Sequence, residues 1–227
     1  MTLSSPVESA GLFADYFQSN YALQSSQHYS PHGSFEELIS AASVSLDEVN
    51  SALKLLDLHK AVGFDGMPNS FLRSLAGELA RPLWLIFSAS LESGIFPSQW
   101  KSSFVTPIFK SGDRSQCSNY RGIDILSSMA KVFEQIICSK LEDAIGHRIC
   151  SAQRGFRAKR STATNLVSMV EYVLNALLGS VQDDVIYVDL AKASDRVDHD
   201  ILMDKLKAFG VCGKLLQWLA SYLTNCS

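Results

Sequence analysis

Apolar residues recur along this chain with two periods, and the period changes where glycine or proline intervenes. Leu46, Val49, Leu53 and Leu56 stand three or four positions apart, which is one face of a helix. Ser45 and Glu48 form the Ser-x-x-Glu of a capping box ahead of them, so a helix is predicted from there to about Lys60, broken by Gly63 and Gly66. A second long helix is predicted over 69–92, stopped by Gly94 and Pro97. Ser103 to Phe109 has the content of a strand, and Pro107 marks it as an edge. Helical periodicity returns over 126–145 and 162–178, closed by Gly146 and Gly179, and again over about 199–209 and 213–223, separated by Gly210. Between them Val185-Ile186-Tyr187-Val188, ending on Asp189, has the length and composition of a buried strand. Upstream, Phe13, Tyr16, Phe17 and Tyr21 allow a short helix near 9–20, and the Ser/His/Pro cluster at 25–34 reads as a loop. The pattern is α+β and rich in helix, without repeats or low-complexity tracts.

Composition adds location and charge. The apolar fraction, 47%, suits a globular chain with a real core. The net charge of −3 does not announce a nucleic-acid partner, but its distribution does. Residues 101–160 hold eleven Lys/Arg against five acids, a surplus of +6, and the remainder carries −9. A basic segment in an acidic chain suits a phosphate-facing surface, and a solvated helix face accounts equally well for Lys131 and Lys140. The five cysteines are scattered, with no Cys-x-x-Cys pair and no histidine at zinc-ligand spacing. They read as reduced thiols, hence an intracellular protein, compatible with nucleus and cytoplasm. No signal peptide or membrane span is expected, because the N-terminus has no long apolar stretch.

Asp189 is the first candidate for chemistry. A carboxylate at the end of a buried strand is rigidly aimed, which suits a divalent-metal ligand for phosphoryl or nucleotidyl transfer. Asp189 also fits a plainer reading, a side chain satisfying backbone groups where strand becomes turn. The surrounding motifs bear on the choice. Tyr187-Val188-Asp189-Leu190-Ala191-Lys192-Ala193-Ser194-Asp195-Arg196-Val197-Asp198-His199 resembles the first catalytic motif of reverse transcriptases of non-LTR (LINE- or jockey-like) retrotransposons. His59-Lys60-Ala61-Val62-Gly63-Phe64-Asp65-Gly66-Met67-Pro68 is similar to that family's opening motif. Pro97 to Trp100 with Val105 to Asp113, Asn119-Tyr120-Arg121-Gly122-Ile123, and Gln153-Arg154-Gly155-Phe156-Arg157 followed by Arg160-Ser161-Thr162 resemble three further blocks. The five blocks stand in family order over roughly 44–225.

The resemblance implies a partial right-hand polymerase: 1–43 a linker upstream of the polymerase, 44–180 fingers-like, and 181–227 the truncated start of the palm. It implies an RNA template, a DNA primer and deoxynucleoside triphosphates, joined with the help of Mg²⁺ or Mn²⁺ in the intact enzyme. Asp189 matches the first metal ligand, with the Leu190 carbonyl beside it. Lys110 and Arg121 match the cations that meet the triphosphate, Arg by its bidentate fork and Lys by its compact charge. Arg157 and Arg160 match the template-proximal block, where a basic loop contacts phosphates regardless of sequence. Gly155-Phe156 also fits a turn whose Phe is buried as an anchor. Asp195, expected at a helix start, and Asp198 read as caps or local salt-bridge partners, and His199 as structural.

The sequence departs from the family at Val62 and Phe64, which flank Gly63, and at Gly122, where the family has Pro. It departs again at Ser194, where the family has an aromatic ring lying under the nucleotide sugar. The chain contains no Ala-Asp-Asp, the motif that supplies the remaining metal carboxylates. This chain is therefore expected not to polymerise alone. The alternative is a non-catalytic remnant or domesticated domain that keeps the basic surface for nucleic-acid binding.

Overall fold

The structure, a computed structural model, describes residues 5–21, 36–182 and 184–224. The loop expected at 25–34 lies outside them. The described elements run α1 (Pro6–Gln18), α2 (Leu46–Lys54), α3 (Asn69–Ser74), α4 (Ala76–Ser93), β1 (Phe104–Phe109), β2 (Tyr120–Ile125), α5 (Ser128–Ile145), α6 (Thr162–Leu178), α7 (His199–Ala208) and α8 (Gly213–Leu223). The class is α+β, with helices predominating.

The capping box forms as expected. Ser45 Oγ accepts from the Glu48 amide at 3.2 Å, and Glu48 Oε2 accepts from the Ser45 amide at 2.7 Å. The free oxygen of Glu48 meets Lys140 Nζ at 2.6 Å, joining α2 to α5. The helix ends at Lys54 rather than near Lys60. Asp57 diverts the chain, since its carboxylate accepts from the His59 amide and its carbonyl takes Asn69 Nδ2 at 2.7 Å. The helix expected over 69–92 parts at Leu75, whose ψ of 25° leaves the helical range. The break lets short α3 bury Asn69 and Leu72 while α4 runs on independently. Asn69 also accepts from Ser128 Oγ at the first turn of α5. The loop before it lies so close to α5 that a side-chain carbon on Gly63 would stand 2.7 Å from the Leu126 carbonyl oxygen.

Helices α2, α4, α5 and α8 enclose the core. Its centre is aromatic. The Phe133 ring stacks on Phe87 at 4.2 Å, nearly parallel, and meets Trp218 edge-on at 4.9 Å. Phe96 and Trp100, the second from the Pro97–Trp100 motif, close the cluster. The indole N–H of Trp218 donates to Ser90 Oγ at 2.9 Å, so its polar end is satisfied. Lys101 Nζ donates to the Ser221 and Thr224 carbonyls and so ties off the end of α8. Gly210 separates α7 from α8 as expected, at φ +91°, and its carbonyl receives the Leu38 and Ile39 amides. On α5, burial pushes the Glu134 carboxyl above its ordinary range, against the lowering pull of the Tyr222 hydroxyl and Lys131.

One antiparallel pair makes the sheet, in the register Ile108↔Arg121 and Phe109↔Tyr120. The partner strand β2 extends the sequence-based expectation, which gave 119–123 only as a motif. The strand expected at 185–189 does not form. The segment carries no ladder, and Ile186, Tyr187 and Val188 are each at least four-fifths exposed. A strand exists only through hydrogen bonds to a neighbour, and among the described residues no segment pairs with 185–189. Helix α6 likewise buries none of its residues, although Leu166, Val170 and Leu174 form an apolar stripe. Among the described residues no helix is long and apolar enough to cross a membrane.

Candidate functional site

The hairpin sorts its side chains by the pleat. Val105, Phe109, Tyr120 and Gly122 share one face, and α1 covers it. Phe13 packs edge-on against the Tyr120 ring at 4.8 Å, and a side-chain carbon on Gly122 would touch Phe17 at 3.4 Å. Glycine in place of the family's proline therefore sits directly under Phe17. The opposite face carries Ile108 and its cross-strand partner Arg121. Lys110, two residues beyond Ile108 and held by its amide to the Asn119 carbonyl at 2.8 Å, falls on that same face. Lys110 and Arg121 are thus diagonal neighbours, and both are exposed. Asp113, at the hairpin tip, spends its carboxylate on the Ser115 amide and hydroxyl, which hold it below its ordinary range.

Asp189, Leu190 and Ser194 lie together in the exposed stretch that follows α6. Residues 191–196 turn repeatedly, with Lys192 at φ +54°. No ion pair joins Asp189 to Lys110 or Arg121 among the described residues. The structure brings the two cations together on one face of the hairpin. Asp198, not Asp195, starts the next helix. Its Oδ1 accepts from the Asp200 and Ile201 amides at 3.0 and 3.1 Å, capping α7, while Asp195 is exposed in the turn before. His199 is the exposed first residue of α7.

A contact absent from the sequence reading ties this stretch to the rest. Lys192 Nζ donates to the Tyr16 hydroxyl at 2.7 Å and to Asn20 Oδ1, and sits 4.2 Å from the centre of the Tyr16 ring. Phe13, Tyr16, Phe17 and Asn20 fall on one helical face, so α1 bridges the hairpin and the Lys192 turn. The i, i+3, i+4, i+7 spacing was the signal that could have located this face.

Arg157 and Arg160 sit in the connection between α5 and α6. The Arg157 guanidinium folds back toward Gly146 at the end of α5, and its Nη1 is buried without a hydrogen-bond partner. Arg160 stays exposed at the foot of α6. Phe156 is not a buried anchor: its ring is entirely in solvent.

A divalent metal needs several carboxylates at one point. Among the described residues no three His, Cys, Asp or Glu side chains converge in that way, around Asp189 or elsewhere. These residues do not make a metal centre by themselves. The four described cysteines are free thiols.

Comparison with known proteins bears on this geometry. The sequence pattern described as "Reverse transcriptase (RNA-dependent DNA polymerase)" matches residues 108–227. The chain is 32% identical over 167 residues to a probable RNA-directed DNA polymerase from transposon BS of Drosophila melanogaster, covering 72% of this chain and 18% of that protein. It is 31% identical over 176 residues to the RNA-directed DNA polymerase from mobile element jockey of the same fly, covering 76% and 19%. A similar match, 31% over 152 residues, is to the probable RNA-directed DNA polymerase from transposon X-element, covering 66% and 17%. The chain thus spans less than a fifth of the length of these curated relatives.

Proposed function

Because this chain belongs to the reverse transcriptase family, we propose that it supplies the fingers and the opening of the palm to an RNA-directed DNA polymerase of a non-LTR retrotransposon. In this reading 1–43 leads into the polymerase, 44–180 is fingers-like and 181–227 begins the palm. Lys110 and Arg121 receive the triphosphate of an incoming deoxynucleotide. Asp189 and the Leu190 carbonyl contribute one part of a Mg²⁺ or Mn²⁺ site that the described residues do not complete. Ser194 faces the nucleotide sugar, and Arg160 lies along the RNA template that pairs with the DNA primer, on a loop whose Arg157, expected at the template too, turns its guanidinium inward against Gly146.

The observation that carries the reading is the hairpin. Its two cations are diagonal neighbours on a face that α1 leaves open, and both lie within the matched region. A polyphosphate needs several cations at one place, and this arrangement supports such a role. The lone Asp189 carboxylate favours a second reading, nucleic-acid binding without catalysis. Primer extension on an RNA template separates the two. In a polymerase containing this segment, Asp189→Asn should abolish extension and leave RNA binding intact. Extension that survives the substitution defeats the first reading.

A further inference from the structure

The connection from α5 to α6 is the most one-sidedly charged part of the chain. Arg148, Arg154, Arg157, Lys159 and Arg160 fall in it, and no Asp or Glu occurs between Ala144 and Val170. It is nonetheless a built loop. Arg154 Nη2 reaches Ser168 Oγ on α6 at 3.3 Å, and Gln153 Nε2 donates to the Gly155 carbonyl at 3.1 Å. On the other side Arg157 turns its guanidinium inward against Gly146, and the Arg160 amide closes back on the Arg157 carbonyl at 3.2 Å. Two arginines pin the loop to the two helices it joins.

Between those pins stands Phe156. Its relative exposure is 107%, and its φ is +57°. A bulky aromatic residue rarely adopts a left-handed backbone, and such strain persists only where surrounding structure imposes it. Lys159, three residues on, is left-handed too, at φ +60°. The aromatic rings of the core are enclosed: Phe87, Phe96, Phe133 and Trp218 are all at most 2% exposed. At Phe156 the fold does the opposite and projects a ring into water, flanked by the exposed cations Lys159 and Arg160.

A flat apolar ring beside free cations, on a loop held at both ends, matches one ligand chemistry: an unpaired nucleobase attached to a phosphate backbone. An apolar protein partner fits poorly, because docking it over Phe156 would desolvate the exposed charges of Lys159 and Arg160. We propose that Phe156 is a base-stacking residue, taking the face of an unpaired base on a single strand whose phosphates meet Lys159 and Arg160. This deepens the nucleic-acid reading given above and rests on it. Because the side chain touches nothing in the fold, its substitution should leave folding unchanged.

The test titrates the full 227-residue chain into a short single-stranded RNA carrying 2-aminopurine, whose fluorescence falls when a ring stacks on it. Binding should quench the probe. Phe156→Leu should weaken binding about 5- to 150-fold and abolish the quench. The log–log dependence of affinity on salt should stay the same in that variant, since a neutral ring releases no counterions. Phe156→Tyr should keep both affinity and quench. Lys159→Ala and Arg160→Ala should each flatten the salt slope by about 0.7. Unchanged affinity and quench in Phe156→Leu, with salt-sensitive binding intact, would overturn the stacking role while leaving the nucleic-acid reading standing. No binding by the parent chain at low salt would overturn both. A change in self-association without a change in RNA affinity would assign the ring to a protein contact and sink the proposal.

Discussion

The same substitution at two glycines should move stability in opposite directions. Gly63 is buried, and a β-carbon there would stand 2.7 Å from the Leu126 carbonyl oxygen, 2.9 Å from its carbon and 2.9 Å from Ser127 Cα. Favourable non-bonded contacts lie at about 3.5–4.0 Å, so the overlap is roughly 0.6–1.3 Å. Every atom it meets is backbone, and none can rotate aside. Either the 57–68 loop or the start of α5 must shift. Overpacking of this kind costs about 1–3 kcal/mol. A shift also loosens Asn69, which joins the two segments through Asp57 and Ser128, and a buried polar group left unpaired costs about 1–3 kcal/mol more. Gly77, in the first turn of α4, has nothing within 4 Å of the same added carbon. Gly77→Ala should therefore stabilise by about 0.5–1 kcal/mol, through helix propensity and a less flexible unfolded chain. With a urea dependence of about 2–3 kcal/mol per molar, Gly63→Ala should lower the unfolding midpoint by about 0.7–3 M, and Gly77→Ala should raise it slightly. Paired urea titrations followed by circular dichroism read both. A Gly63→Ala chain as stable as its parent would refute the packing of the loop onto α5.

Two further outcomes follow from single side chains. The folded Glu134 carboxyl is raised by burial, so below the ordinary carboxylate range it is protonated in folded and unfolded chains alike. As pH climbs, the unfolded chain ionises first and stability falls. Glu134→Gln should be spared that loss, so its advantage over the parent should widen from about pH 4 to about pH 7, and an equal gap at both ends would show that burial does not perturb the group. Lys192 should acetylate more slowly than exposed Lys110 in a mass-spectrometric footprint, and Tyr16→Ala with Asn20→Ala should remove the difference. Equal rates in the parent chain would mean that α1 does not hold the turn.

What the sequence disclosed depended on how local the cause was. The Ser45–Glu48 cap, the ends of α5 and α6, and the Gly210 break rest on bonds a few residues apart, and all formed where periodicity and turn chemistry put them. Val185 to Val188 has strand composition, but a ladder needs a second chain segment, which composition cannot supply. Tyr120 to Ile125 has the converse history: Gly122 and Asp124 dilute its strand character, and only pairing with β1 makes it one. The two cations of the site were legible as motif residues, and their sharing of a face required the register. Lys192 was legible as part of a motif, but its partners Tyr16 and Asn20 lie more than 170 positions away. Phe156 also fitted a buried anchor in the sequence, and it stands in solvent, in a loop where it and Lys159 are left-handed.

The aromatic cluster carries a consequence for synthesis on the ribosome. The Phe96 backbone N–H donates a hydrogen bond to Ser221 Oγ, 125 positions later, and Trp218 is the wall against which Phe133 rests. At about 5–20 residues per second, roughly 6–25 s separate the emergence of Phe96 from that of its partner. Throughout that interval Phe87, Phe96 and Phe133 are assembled around a missing side. The nascent chain is then most exposed to aggregation at this half-built cluster, and α8 ends the hazard when it docks.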